Sequence, residues 1–129
     1  WGSRSEGAYA FRTLLDNGTA LAFGSDAPVE LPNPFLGLHA AVTRRRTDGT
    51  PGEDGWYPGQ RLTLAEALCA YTSGAAFAAG KETSQGRLLP GYLADLILLT
   101  NDPFTLPPQE LHAIQPRATM VGGEWVYQA

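Results

Sequence analysis

This sequence is poor in the residues from which metal and nucleophile sites are usually assembled. It has one cysteine (Cys69), one lysine (Lys81) and two histidines (His39, His112) in 129 residues. A single cysteine cannot close an internal disulfide, which fits a reducing compartment and leads to a cytoplasmic expectation. No apolar run approaches the ~20 residues that a membrane helix needs. Basic residues are also short: 9 Lys and Arg against 13 Asp and Glu, a formal net charge of −4. That balance argues against nucleic acid, whose binding demands a basic footprint. No basic-then-apolar leader is present, the chain opens at Trp1, and its one methionine is Met120, so a complete translation product is not expected.

What is present is dense patterning. Ala20 to Val29 reads as a short buried strand, Leu21 and Phe23 alternating with small residues, that stops at Gly24 and presents Asp26. Pro28 holds Ala27 extended, so no helix begins at once. Asp26 then sits at a strand's carboxyl end, where α/β barrels keep their catalytic groups. A turn residue capping that strand end is the plainer reading.

Before this strand, Ser5 to Asp16 is predicted as a helix closed by Asp16-Asn17-Gly18. After it, Leu31 to Pro34 is a loop and Phe35 to Arg46 a helix burying Phe35, Leu38, Ala41 and Val42. Thr47 to Arg61 is a long Gly, Pro and acid-rich loop broken by Trp56-Tyr57. Thr63-Leu64-Ala65-Glu66 matches a capping box opening a third helix, and Thr72 to Gly80 continues as a small-residue helix. Gly86 to Leu89 and Ala94 to Leu99 are predicted strands about a Pro90-Gly91 turn, with a helical turn over Gln109 to Ile114. Thr119 to Tyr127 is a hairpin about Gly122-Gly123. The expected division is 1–82 and 83–129.

Other candidates read more simply as structure. His39 is packed or partly exposed on its helix. Arg44-Arg45-Arg46 form a solvated helix end favoured by the dipole. Cys69 is a small core residue, and Asp95 a turn residue at a strand start. Trp56 and Tyr57 line an entrance or pack the loop. Ser25 lacks a Gly-x-Ser-x-Gly elbow, and Gly86 to Gly91 lacks the Lys-Ser/Thr of a phosphate loop.

Gly24-Ser25-Asp26-Ala27-Pro28-Val29, Asn33-Pro34, Leu64 to Leu68 with Tyr71-Thr72, and Gly86 through Leu96 together resemble the C-terminal part of an amidohydrolase. The branch is amidohydrolase family 3, with its N-substituted formamide deformylase-like enzymes. The resemblance implies an α/β fold: the last strand and helices of a metal-dependent (β/α)8 barrel, plus part of a small β-sandwich. It implies hydrolysis of non-peptide C–N bonds in a small-molecule substrate by metal-activated water. The divalent metal expected first is zinc. Asp26 matches the family's strand-eight aspartate, a metal ligand that also handles the water's proton.

The departures are equally definite. The family's His-x-His, its bridging lysine or glutamate and its strand-five and strand-six histidines have no match here. Neither His39, His112 nor Lys81 stands where a ligand should, and a lone carboxylate does not hold a transition metal tightly. A barrel takes about 250 residues, so the chain alone is expected to be inactive. A missing N-terminal barrel segment, or self-association, is expected to cover its open edges. A non-catalytic association module or a decayed fragment are the alternatives.

Overall fold

A computed structural model describes residues 2–129, with Ser3 described by its backbone alone. Short helices gather on one hydrophobic centre, and a small antiparallel sheet follows them. The helices are α1 (Phe11–Asp16), α2 (Pro34–Thr43), α3 (Leu64–Cys69) and α4 (Ala75–Ala78). The strands are β1 (Leu96–Leu99), β2 (Pro116–Val121) and β3 (Glu124–Gln128).

The centre is built where α2 meets the 3-10 segment Pro108–Ala113. Phe35, Leu38 and Ala41 of α2 close on Leu62, Ala67, Leu111 and Ile114, all buried. Helix α2 starts because Asn33 caps it, its side chain accepting the Phe35 N–H at 3.0 Å, with Pro34 at the first helical position. It stops at Thr43, short of the expected Arg46, because Arg44 turns left-handed at φ +58°.

Helix α3 opens on the expected capping box. Thr63 Oγ1 accepts the Glu66 N–H, and the Glu66 carboxylate accepts the Thr63 N–H at 2.8 Å. From Ala70 to Gly74 the helix widens into a π turn before α4 resumes. The segment Leu21–Phe23 lies against this turn. Phe23 donates its N–H to the Ala70 carbonyl at 3.0 Å, and Leu21 O lies so near Gly74 that a Cβ there would be 2.0 Å away. Only glycine permits that approach.

Three expected elements come out differently. Leu21–Phe23 lies in no regular element and joins no ladder, because none of the described residues runs beside it as a strand. A strand is defined by its partner, and here its neighbour is a helix. Ser5–Asp16 is not one helix: a 3-10 segment, Gly2–Gly7, is separated from α1 by Tyr9 at φ +52°. Gly86–Leu89 forms no strand but a series of bends leading into the Pro90-Gly91 turn, closed by the Tyr92 N–H on the Leu89 carbonyl at 3.1 Å.

The tail forms a three-stranded sheet in the order β1-β2-β3, both pairs antiparallel. The hairpin turns at Gly122-Gly123, both with positive φ, as expected from the pair of glycines. Asp95 holds it from outside, its Oδ1 accepting the Gly122 N–H at 2.7 Å, a structural role as predicted. Strand β3 is exposed along its whole length, Trp125, Val126 and Tyr127 included.

Candidate functional site

Gly24 follows that segment and Ser25 leads into a tight turn over Asp26–Val29. The Val29 N–H closes it on the Asp26 carbonyl at 2.8 Å. Asp26 itself takes φ +57° and is exposed. Aspartate tolerates the left-handed region better than most side chains, so the residue type suits the turn as well as any chemistry. The local chain thus puts a carboxylate at the tip of a segment anchored to the π turn.

Around this tip the structure assembles no metal centre from the chain's own groups. Among the described residues, no three His, Cys, Asp or Glu side chains come together as ligands would. Both histidines are spoken for elsewhere. His39 is buried on α2 and meets His112 of the Pro108–Ala113 segment edge to face, ring centroids 5.1 Å apart. His39 Nδ1 lies 3.2 Å from the Pro108 carbonyl. His39 Nε2 and His112 Nδ1 are buried and unpartnered. This meeting joins α2 to the tail, and no sequence spacing announces it.

The arginine run is the second surprise. Arg44 is not a solvated helix end: it is 8% exposed. Its guanidinium lies over the rings of Phe11 and Trp56, at 5.5 and 5.0 Å from their centroids. Nε donates to the Trp56 carbonyl at 3.0 Å and Nη1 to the Tyr9 carbonyl at 3.1 Å. The left-handed bend at Tyr9 interrupts the predicted first helix just at the carbonyl that Nη1 uses. Nη2 is buried without a partner among the described residues, and burial pushes the guanidinium's pKa down. Trp56 therefore packs the loop and lines a cavity at once.

That cavity has a volume of 720 Å³ and is walled by Phe11, Phe23, Trp56 and Tyr71, with Gly24 at its margin. Tyr71 stacks edge-on against Phe23 at 5.6 Å. Its hydroxyl presses on α2 where Gly37 leaves room, and burial raises its pKa. Cys69, expected in the core, is exposed on α3. Its α3 neighbour Ala67 occupies the buried side instead.

The sequence pattern of the amidohydrolase family matches residues 3–127. The chain belongs to that family. It is 37% identical over 125 residues to the putative amidohydrolase YtcJ of Bacillus subtilis (strain 168), covering 97% of this chain and 23% of that protein. It is 35% identical over 120 residues to LONG AFTER FAR-RED 3 of Arabidopsis thaliana, covering 93% and 20%. It is 32% identical over 120 residues to the N-substituted formamide deformylase of Arthrobacter pascens, covering 93% and 21%. A crystal structure of an amidohydrolase from Thermotoga maritima MSB8 shares the fold, with a TM-score of 0.69 at 18% identity over 94% of this chain and 26% of that one. The amidohydrolase resemblance read from Gly24–Val29 and Gly86–Leu96 therefore holds, and the chain spans only a fifth to a quarter of these relatives. Among the described residues, no helix is long and apolar enough to cross a membrane.

Proposed function

We propose that these residues serve a hydrolase of non-peptide C–N bonds, supplying the closing part of its fold and one active-centre carboxylate, Asp26. Membership of the amidohydrolase family carries the reaction class. The position of Asp26, exposed at the tip of an anchored segment, supports the choice of residue. In this reading the Leu21–Phe23 segment is the last strand of a (β/α)8 barrel. Its ladder partners and the remaining ligands come from polypeptide beyond these residues, or from a second copy. Residues 1–82 then belong to the barrel and 83–129 to a composite β-sandwich.

Amidohydrolases are in general metal-dependent, and zinc is the metal we expect here. One carboxylate is an insufficient donor set for such an ion, so these residues alone do not fit a metal centre. What Asp26 can do by itself is accept a proton from an attacking water and return it to a leaving amine. The exposed apolar side chains support a covered surface in the working enzyme: Val29, Leu31, Leu88 and Phe104 are each more than 60% exposed.

The test is Asp26→Asn in the longest natural polypeptide that contains these residues, assayed on N-substituted amides. Asparagine keeps the turn and removes the base, so the expected result is a fall in kcat of about 10²–10⁴ with an unchanged melting temperature. Full activity in that variant, alongside bound metal, would remove Asp26 from the mechanism.

A further inference from the structure

The cavity beside Trp56 has an electrostatic character at odds with the rest of the protein. Three arginines line it, Arg44, Arg45 and Arg46, and no aspartate or glutamate does. The chain as a whole is acidic, at −4. Yet among the described residues no carboxylate pairs with Arg44. Its Nε and Nη1 are taken by two neutral carbonyls, and Nη2 has no partner among the described residues. A buried guanidinium is costly when it lacks an anion, and the two aromatic rings beside it only partly compensate it. Concave walls of low polarity concentrate that positive field where a ligand would enter.

We propose that this cavity is a binding site for an organic anion, one carboxylate carried on an aromatic or apolar body, with Arg44 as the counter-ion. A carboxylate needs only one charge to balance the guanidinium, and Nη2 is the nitrogen left for it, since Nε and Nη1 already donate to carbonyls. The walls of Phe11, Phe23 and Trp56 provide the matching surface for the body. Arg44 is the counter-ion because its guanidinium is the buried one; Arg45, half-buried with Nε on the Gly49 carbonyl at 3.2 Å, and the exposed Arg46 add to the field. This inference needs no catalytic role for Asp26.

Phenylacetate is the probe, titrated calorimetrically into the 129-residue chain beside its neutral analogue 2-phenylethanol and inorganic phosphate. The expected result is saturable phenylacetate binding at least ten-fold tighter than either comparator. In Arg44→Gln that preference disappears, while Arg45→Gln keeps most of it. Because Arg44→Gln could fail to fold, the acid-against-alcohol comparison in the unaltered chain stands as an independent readout. Equal binding of acid and alcohol, or phosphate binding as tightly as phenylacetate, overturns the proposal. The carboxylate's source is read from a longer natural polypeptide containing these residues. Phenylacetate binding by both forms assigns the site to a free ligand. Binding by the 129 residues alone assigns it to an acidic side chain of the added segment.

Discussion

Arg12 of α1 grips Glu66 of α3 with both ends of its guanidinium. Nη1 donates to Oε1 at 2.9 Å, and Nη2 pairs with Oε2. The same carboxylate closes the capping box on Thr63, so one side chain both starts α3 and ties it to α1. The arginine's hydrogen bonds, helped by the Thr63 N–H, hold the Glu66 carboxyl down at about 2. Arg12 in turn stays protonated at any accessible pH, its pKa raised chiefly by Glu66.

A pH signature is expected from this pair. A carboxylate whose pKa falls on folding stabilises the native state above its unfolded value of 4.5, and loses that contribution as pH drops from there through about 2. The pair is partly exposed, so solvent screening keeps its contribution small. Thermal melts across that window should show the unaltered chain losing stability faster than Glu66→Gln, which keeps the cap geometry but carries no charge. Parallel curves would show that the ion pair contributes nothing.

The second expectation concerns the anchor of the segment that carries Asp26. A methyl group at Gly74 would meet the Leu21 carbonyl at 2.0 Å, and backbone cannot swing aside as a side-chain tip can. Gly74→Ala should therefore cost about 1–3 kcal/mol of stability and displace the Leu21–Phe23 segment. Gly59→Ala is the control, since nothing lies within 4 Å of its added Cβ. Denaturant unfolding of both variants, with the Phe23 amide's hydrogen exchange as the local readout, checks it. An unperturbed Phe23 amide in Gly74→Ala would mean that the segment is not held by this contact.

Self-association of the 129-residue chain is the third expectation. Strand β3 is an exposed edge bearing Trp125, Val126 and Tyr127, the kind of edge that pairs with another copy unless guarded by charge. Light scattering after size exclusion should show mass rising with concentration. Val126→Lys, at a position 62% exposed, should reduce that rise at little cost to the fold. A concentration-independent monomer would remove self-association as the way this edge is covered.

Much of the architecture was legible because its causes are local. The capping box needs only Thr63 and Glu66 three residues apart, and the hairpin needs two glycines able to take positive φ. Family membership was legible for a similar reason, since Gly24 to Val29 and Gly86 to Leu96 are contiguous strings. The candidate site was legible only as far as one carboxylate.

The sequence by itself determined the starts of α2 and α3, the tail hairpin and kinship, each resting on neighbours within a few positions. Tertiary structure decided the rest. Arg44 is buried because Phe11, Trp56 and two distant carbonyls converge on it, and Tyr9 bends where Arg44 needs an acceptor. His39 finds His112 through the packing of α2 on the Pro108–Ala113 segment. Leu21–Phe23 remains unladdered, since pairing requires a second strand and periodicity along one strand says nothing about its partner. Burial and partnership are properties of two surfaces at once, and a linear pattern describes only one of them.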